Sequence, residues 1–344
     1  MWRTRRSSWH RLRQTALTDT LALIPHNTLN PMQQRNVGHS GLKVSLVGLG
    51  CNNFGGDRID LEASRKVIHK ALDLGITLID TADTYGGRGE CETILGECLG
   101  ARRKDIVLAS KCGLPMDDAG HKKGASRRYI MSAIDASLAR LKTDWIDLYI
   151  IHRPDPLTPI EETLRAMDDL VRAGKVRYTG CSTFEAWQVV DAQWTARHHN
   201  LNHFVTCQDQ YNVIKRDVEH ALLPAMQAHG LGLIPHTPLA AGLLSGKYQR
   251  NSPMPAGARM TREKRQADRW INDANWGVVE RLAAFAAAHG RTLLELAMSW
   301  LAANPQVASI IAGATSPEQV ALNARAVEWR LNAEELAEIN KLTQ

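Results

Sequence analysis

The stretch LKVSLVGLGCNNFGGDRIDLEASRKVIHKALDLGITLID (residues 42–80) contains one complete unit of the repeating pattern on which the fold prediction rests. The apolar runs KVSLVGLG (43–50) and ITLID (76–80) flank an amphipathic segment (60–75) with a polar start and a glycine stop. Apolar runs without strict alternation are typical of parallel strands buried on both faces, and the segment between them predicts a helix. The glycines after the first run do not have the G-x-G-x-x-G spacing of a doubly wound dinucleotide-binding sheet.

The same alternation recurs about eight times along the chain, which predicts a (β/α)8 TIM barrel in the α/β class. The other predicted strands are DIVLASK (105–111), WIDLYIIH (145–152), KVRYTGCS (175–182), FVTCQDQ (204–210), GLIPHT (232–237) and VASIIAGA (307–314). The other predicted helices cover residues 126–141, 160–174, 218–230 and 292–304.

Several segments lie outside these units. We predict an N-terminal β-hairpin around Gly38–Gly41 that plugs the barrel, a long loop after strand 7 (245–276) and a C-terminal helix (332–342). Residues 1–31 are rich in Arg and nearly free of acids, and we predict a disordered tail there, outside a single barrel domain that covers 32–344.

Composition excludes several classes of function. The net charge of +6 comes mostly from the five arginines of that tail, so a nucleic-acid partner is not expected. No apolar run approaches the ~20 residues of a membrane helix. The six cysteines form no CxxC pair, which favours a reduced, cytoplasmic protein without a metal site. The oligomeric state is left open.

Polar residues stand where the predicted strands end, and in a barrel this is where chemistry is located. Asp80, Lys111 and His152 end strands two, three and four, and Tyr85 follows Asp80 in the next loop. A nearby cation stabilises phenolate, so Lys111 could lower the pKa of Tyr85 while Asp80 keeps the lysine charged. His152 could donate a ring N–H to a carbonyl oxygen. The set suits reduction of a carbonyl but lacks a nucleophile, which indicates an external hydride from a nicotinamide cofactor.

Other interpretations remain open on these residues alone. Asp80 and Lys111 could form a structural ion pair, and a single histidine is more often a core residue than a catalyst. Lys111 could also be the Schiff-base nucleophile of an aldolase. A glycosidase would use acids such as Asp83 and Glu90, although acids at a loop and a helix start have a simpler electrostatic reason.

The motifs ITLIDTADTYGG, LASKCG and IDLYIIHRPD resemble those of the aldo-keto reductase superfamily, and the resemblance runs from about Gln34 to Val327. It implies an NAD(P)-dependent oxidoreductase that interconverts a small aldehyde or ketone and its alcohol. By this likeness Tyr85 is the general acid/base, Lys111 tunes it, Asp80 supports Lys111 and His152 positions the carbonyl. The same superfamily includes channel-associated β subunits, so a nucleotide-sensing regulatory subunit is a further alternative.

The resemblance also implies which residues bind the dinucleotide. They are Ser182, Gln208, His236, Pro238, Leu239, Gly242, Gly246, Lys247, Gly313, Thr315, Gln319 and Asn323. In addition, Ser316 and Pro317 predict a capped helix start, which is an anion site.

Three positions depart from the pattern of the family. Thr183 replaces a common Asn, His236 replaces an aromatic residue that stacks on the nicotinamide, and Thr315 replaces an Arg that binds the 2′-phosphate. The imidazole of His236 could change its charge with pH. We expect NADP as the cofactor, with NAD as the alternative because of Thr315 and with Lys247 or Arg259 as substitutes for the missing Arg.

Overall fold

The computed structural model of the protein describes residues 32–343, and the tail predicted for residues 1–31 lies outside the described residues. The described chain contains a ring of eight parallel strands, which confirms the predicted barrel. In chain order, after the hairpin strands β1 (Gln34–Asn36) and β2 (Lys43–Ser45), these are β3 (Val47–Gly50), β4 (Leu78–Asp80), β5 (Val107–Cys112), β6 (Ile146–Ile151), β7 (Val176–Ser182), β8 (Phe204–Gln210), β9 (Gly232–His236) and β10 (Ile310–Gly313). A parallel bridge between Leu233 and Val307 brings β9 and β10 together and closes the ring.

The N-terminal hairpin covers one end of the barrel, as predicted. Its residues Val37, Leu42 and Val44 are buried in one apolar cluster with side chains from the barrel strands. The guanidinium of Arg35 donates hydrogen bonds of 2.5–3.0 Å to carbonyl oxygens of residues 302, 304 and 307, just before β10. The hairpin therefore plugs the end at which the strands begin and leaves the opposite end free.

The predicted first strand (43–50) is wrong as a single element. Residues 43–45 belong to the hairpin, and the barrel strand begins only at Val47. The hydroxyl of Ser45 donates to the carbonyl oxygen of Val47 at 2.7 Å, and its backbone N–H donates to the hydroxyl of Thr77 at 2.8 Å. These local bonds turn the chain at Leu46, and such a break inside a continuous apolar run leaves no periodic signal.

Helices connect successive strands and cover the outside of the barrel. They are α1 (Leu61–Asp73), α2 (Tyr85–Leu99), α3 (Arg127–Leu141), α4 (Ile160–Arg172), α5 (Ala186–His198), α6 (Leu222–His229), α7 (Arg259–Arg262), α8 (Lys264–Trp270), α9 (Asp273–Ala288), α10 (Leu293–Ala303), α11 (Pro317–Arg325) and α12 (Ala333–Leu342). Residues 86–89 at the start of α2 have positive φ angles, so regular helix begins only after them.

Three differences from the predicted helices have local causes. The long segment after strand 7 contains α7, α8 and the first residues of α9 rather than loop alone. The helix predicted from residue 218 begins at Leu222, since Pro224 is compatible only with the first turn of a helix. The helix α5 was not predicted, because Trp187 and Trp194 lie on its exposed side and blur the amphipathic pattern.

The apolar core lies in two places, inside the barrel and between the barrel and its helices. All six cysteines are buried with free thiols. Among the helices of residues 32–343, none combines the length and the apolar character that crossing a bilayer requires.

Candidate active site

The four residues predicted to be catalytic lie in one cavity at the carboxyl ends of the barrel strands. Asp80 ends β4, Lys111 lies near the end of β5, His152 follows β6, and Tyr85 begins α2. All four line a cavity of about 750 Å³. The carboxyl ends of consecutive parallel strands meet at one rim, and the structure places these side chains together as the sequence predicted.

Lys111 is buried and holds the centre of the site. Its ammonium donates hydrogen bonds of 2.7 Å to the Asp80 carboxylate and to the carbonyl oxygen of Thr81, and it lies 3.5 Å from the hydroxyl of Tyr85. Burial alone would lower the pKa of Lys111, but the charge of Asp80 and the hydrogen bonds to Asp80 and Tyr85 outweigh burial, and the pKa is raised. The side chain is therefore an ammonium at neutral pH, as expected from the sequence.

The predicted lowering of the pKa of Tyr85 is wrong in its direction. Burial raises the pKa of this phenol above its ordinary value of 10.0, and the opposing effect of Lys111 is smaller. Distance explains the outcome, since 3.5 Å is at the outer limit of a hydrogen bond. Tyr85 is consequently a protonated phenol throughout the neutral range, which suits a proton donor.

His152 presents a neutral ring to the same cavity. Burial and the neighbouring charge of Lys111 hold its pKa well below 6.5. Its ring stands edge-on to Tyr85, with the ring centroids 5.8 Å apart at 78°. The Nδ1 atom is buried without a hydrogen-bond partner among residues 32–343. A buried polar atom in this state is unusual in a folded protein.

The same cavity extends over nearly all the residues predicted to bind a dinucleotide. The residues that line it are Ser182, Gln208, His236, Pro238, Leu239, Gly242, Lys247, Gly313, Thr315, Gln319 and Asn323. Gly246 does not line the cavity, although its neighbour Ser245 does. Residues from β7, β8, β9, β10 and α11 thus converge on a single elongated space.

Some of these side chains are already engaged within the protein. The amide of Gln208 donates to Asp80 at 2.6 Å, which leaves its carbonyl oxygen as the freer end for a ligand. The side-chain oxygen of Gln319 accepts from the backbone N–H of Thr315 at 2.9 Å. Ser316 caps α11 and Pro317 follows at the first helical position, so the predicted helix start is confirmed.

A cluster of three cations marks one part of the cavity wall. Lys247, Arg259 and Arg262 line it together, and of these only Arg259 pairs with an acid, Glu263, within the described chain. Burial lowers the pKa of Lys247, and the two arginines lower it further. A site that repels its own positive charges is stabilised by a bound anion, so this wall fits the phosphates of a dinucleotide. The sequence indicated Lys247 and Arg259 as candidate phosphate-binding residues, whereas Arg262 was not predicted.

The predicted pH response of His236 is not what the structure supports. Burial and the charge of Lys111 lower the pKa of His236 to about 4. The imidazole is therefore neutral between pH 5 and pH 8, and its Nδ1 lies 3.1 Å from the hydroxyl of Thr237. A neutral ring at this place remains able to stack on a flat ligand.

Strained backbone at Thr183 was not predicted from the sequence. This residue has a φ of +56°, a left-handed conformation that is rare for a β-branched side chain. Its backbone N–H donates to Gln208 at 3.0 Å, and its hydroxyl donates to the carbonyl oxygen of Ser182 at 2.7 Å. These contacts hold the strained residue at the cavity wall, where strain often accompanies function.

Replacing Thr183 with Asn is expected to stabilise the protein by about 1 kcal/mol, because Asn tolerates the left-handed region better. The matched variant Thr183→Val keeps the branched shape and removes the hydroxyl, so it should destabilise. Chemical denaturation measures both changes. Equal destabilisation by Asn and Val would show that the hydroxyl contacts, and not strain, dominate at this position.

A second acidic cluster lies behind the site and was not predicted. Asp83 is buried two residues before Tyr85, near the fully buried Glu92. Glu92 is satisfied by Arg140 at 2.7 Å and by the hydroxyl of Ser110 at 2.5 Å. Asp83 accepts a long bond of 3.4 Å from the hydroxyl of Tyr129, and burial followed by the charge of Glu92 raises its pKa to about 7.

This pKa predicts a pH-dependent stability that Asp83→Asn removes. The folded state binds the proton of Asp83 more tightly than the unfolded state, so its stabilising effect is present below the ordinary pKa of 3.8 and is lost as the pH rises to about 7. Between pH 4 and pH 8 the stability of Asp83→Asn should therefore rise relative to wild type by about 2–4 kcal/mol. Denaturant unfolding at both pH values measures it, with the exposed Asp144→Asn as control. A difference in the free energy of unfolding between Asp83→Asn and wild type that does not change with pH would contradict the prediction.

Comparison with known proteins agrees with this geometry. The sequence profile of the Aldo/keto reductase family matches residues 46–344. The chain is 38% identical over 305 residues to an Arabidopsis thaliana protein named probable voltage-gated potassium channel subunit beta, covering 86% of this chain and 92% of the relative. It is 33% identical over 322 residues to the L-glyceraldehyde 3-phosphate reductase of Escherichia coli, covering 90% and 92%.

A third relative, an uncharacterized oxidoreductase of Bacillus subtilis, is 35% identical over 321 residues, which cover 90% of this chain and 96% of the relative. The match extends over the barrel, its rim and the segments that line the cavity. The chain therefore belongs to the aldo/keto reductase family of NAD(P)H-dependent oxidoreductases.

Proposed function

We propose that the protein reduces a small aldehyde or ketone to its alcohol, with Tyr85 as the proton donor and NADPH as the preferred cofactor. The observation that carries this proposal is the contact of the Lys111 ammonium with both Asp80, at 2.7 Å, and the hydroxyl of Tyr85, at 3.5 Å, inside one cavity. This is an arrangement for giving a proton to a developing alkoxide.

Each residue of the site has a separate task in this proposal. Tyr85 donates its phenolic proton to the carbonyl oxygen, and Lys111 stabilises the phenolate that remains. Asp80 keeps Lys111 charged and also orients Gln208 at 2.6 Å. His152, a neutral ring that lines the cavity, orients the carbonyl. A bound nicotinamide cofactor would supply the hydride.

The residues present fit such a cofactor. Ser182 and the free carbonyl oxygen of Gln208 would hold the carboxamide, and His236 would stack on the nicotinamide ring. Gly242 has a φ of +98°, a backbone conformation that L side chains rarely adopt, so a glycine is favoured at this point of the cavity wall. The cations at residues 247, 259 and 262 would take the phosphates, which supports NADPH despite Thr315.

Thr315→Arg is expected to increase the preference for NADPH over NADH by about tenfold, through a new charge-assisted bond to the 2′-phosphate. Fluorescence titration of both cofactors against both proteins measures the ratio of dissociation constants. Thr315→Gln, which has a long neutral side chain, is the control. An unchanged ratio in the Arg variant would place the 2′-phosphate away from the start of α11.

The activity itself is tested by following the absorbance of NADPH and NADH with a panel of short aldehydes, ketones and sugars. We expect turnover of at least one aldehyde, faster with NADPH. Absence of cofactor consumption with every carbonyl compound, despite tight NADPH binding, would refute the reductase.

Two alternative functions can be separated from the reductase by properties of this site. A Schiff-base aldolase needs a neutral lysine, and the raised pKa of the buried, ion-paired Lys111 argues against it. A nucleotide-sensing regulatory subunit is the second candidate, because the Arabidopsis relative is named as a channel subunit. Enzymes typically turn over at about 1–10³ s⁻¹, so tight cofactor binding with turnover slower than about one per minute would favour the regulatory role, as would a stable complex with a partner protein.

A further inference from the structure

One cation at the catalytic end of the cavity is not used by the proposed chemistry. Arg153 follows His152 directly, is exposed, and lines the same cavity as Tyr85 and Lys111. The charge of Arg153 acts on His152 and, together with the charge of Arg259, on His236.

No acid in residues 32–343 forms an ion pair with Arg153. The acid nearest in sequence, Asp155, is bonded to its own loop and to the loop after β5. Its carboxylate accepts from the backbone N–H groups of Ala125, at 2.8 Å, and Leu157, at 3.0 Å, and from the hydroxyl of Thr158. These bonds also keep the pKa of Asp155 low against the effect of burial. Asp155 is thus ionised but engaged elsewhere.

The acids on the loop after β5 are also engaged. Asp118 pairs with Arg88 at 2.5 Å, and Asp117 accepts from the backbone N–H of Lys122 at 3.2 Å. Asp80 is the one carboxylate that lines the cavity within the described chain, and Lys111 and Gln208 occupy both of its oxygens. Arg153 therefore lines the cavity beside His152 and has no counterion among residues 32–343.

From this placement we propose that Arg153 is a specificity-determining residue that binds the anionic end of the substrate, so that the protein acts on short aldehydes carrying a terminal phosphate or carboxylate. A guanidinium presents parallel N–H groups that match either anion. Since Arg153 adjoins His152, an anion bound to it leaves a short carbon chain to reach Tyr85. This inference rests on the proposed reductase function.

The test compares glyceraldehyde, glyceraldehyde 3-phosphate and succinic semialdehyde with wild type, Arg153→Gln and Arg153→Lys. We expect wild type to prefer at least one of the two charged aldehydes over glyceraldehyde. Comparing glyceraldehyde 3-phosphate with succinic semialdehyde shows whether phosphate or carboxylate is the preferred anion. Arg153→Gln should reduce the ratio of kcat/KM for that aldehyde to kcat/KM for glyceraldehyde by about 10- to 100-fold, mainly through KM, and Arg153→Lys should retain part of it. Lys123→Gln removes an exposed cation from the loop after β5. It is the control and should leave this ratio of kcat/KM values unchanged.

The outcomes separate the two proposals. Turnover of glyceraldehyde by wild type without a preference for either charged aldehyde would overturn this inference and leave the reductase standing. An equal loss on all three substrates in Arg153→Gln would also overturn it, since Arg153 would then act through His152. Absence of turnover with every aldehyde would overturn both.

Discussion

Replacing Tyr85 with Phe is expected to lower the rate of carbonyl reduction by a factor of about 10²–10⁴, because the variant loses only the proton donor. The ring that packs against His152 at 5.8 Å is retained, and so is the cavity. The dissociation constant for NADPH should therefore stay within about threefold of wild type, since each tenfold change would need about 1.4 kcal/mol. Steady-state kinetics and fluorescence titration measure the two quantities.

The control for this experiment is Tyr178→Phe. Tyr178 lies in β7 and packs with the cluster inside the barrel that includes the hairpin, away from the cavity. Loss of its hydroxyl should leave turnover unchanged. If Tyr85→Phe and Tyr178→Phe had the same turnover, the phenol at residue 85 would have no part in proton transfer and another donor in the cavity would be required.

The pKa of Tyr85 adds a pH expectation to the same measurement. Because burial raises this pKa above 10.0, the proton-donating form persists through neutral and mildly alkaline pH. His152, with its pKa held well below 6.5, also does not change its charge in that range. The rate of reduction should therefore show no loss near pH 7 that is due to either residue.

The barrel, and the meeting of its catalytic side chains at one rim, could be predicted because both follow from the order of strands and helices along the chain. Parallel strands that alternate with helices bring their carboxyl ends to one rim, so Asp80, Lys111 and His152 meet whatever the details of packing. The residues predicted to bind a cofactor came from motif likeness. Eleven of the twelve line one cavity, which supports that likeness without testing their contacts with a ligand.

What could not be predicted depends on distances and backbone angles. The pKa of Tyr85 is a balance between burial and a cation 3.5 Å away, and sequence shows that both exist but not which is larger. The left-handed φ of Thr183 is invisible because Thr is a poor indicator of that conformation. Arg262 was missed because it lies in a segment interpreted as loop. The raised pKa of Asp83 was missed because it depends on burial and on the nearby charge of Glu92, which the sequence does not show.

Lys111→Met should destabilise the protein by about 3–5 kcal/mol, because it leaves the carboxylate of Asp80 buried beside apolar atoms. Asp80 is 2% exposed, and its remaining hydrogen bond comes from Gln208 at 2.6 Å. Met has nearly the length of Lys, so the loss measures charge pairing more than packing. Denaturant unfolding at pH 7 measures it. The pKa of Lys111 is raised, so the contribution of the pair is fully present below pH 10.5 and is lost only at higher pH.

The double variant Asp80→Asn, Lys111→Met separates the structural role of this pair from its chemical role. Neutralising both partners removes the buried charge, so the double variant should be at least about 2 kcal/mol more stable than the sum of the two single losses predicts. Turnover should stay as low in the double variant as in Lys111→Met, since a neutral pair offers no cation to the Tyr85 phenolate. Additive losses of stability would mean that the two charges are not coupled, and recovered turnover would mean that the reaction does not need the cation of Lys111.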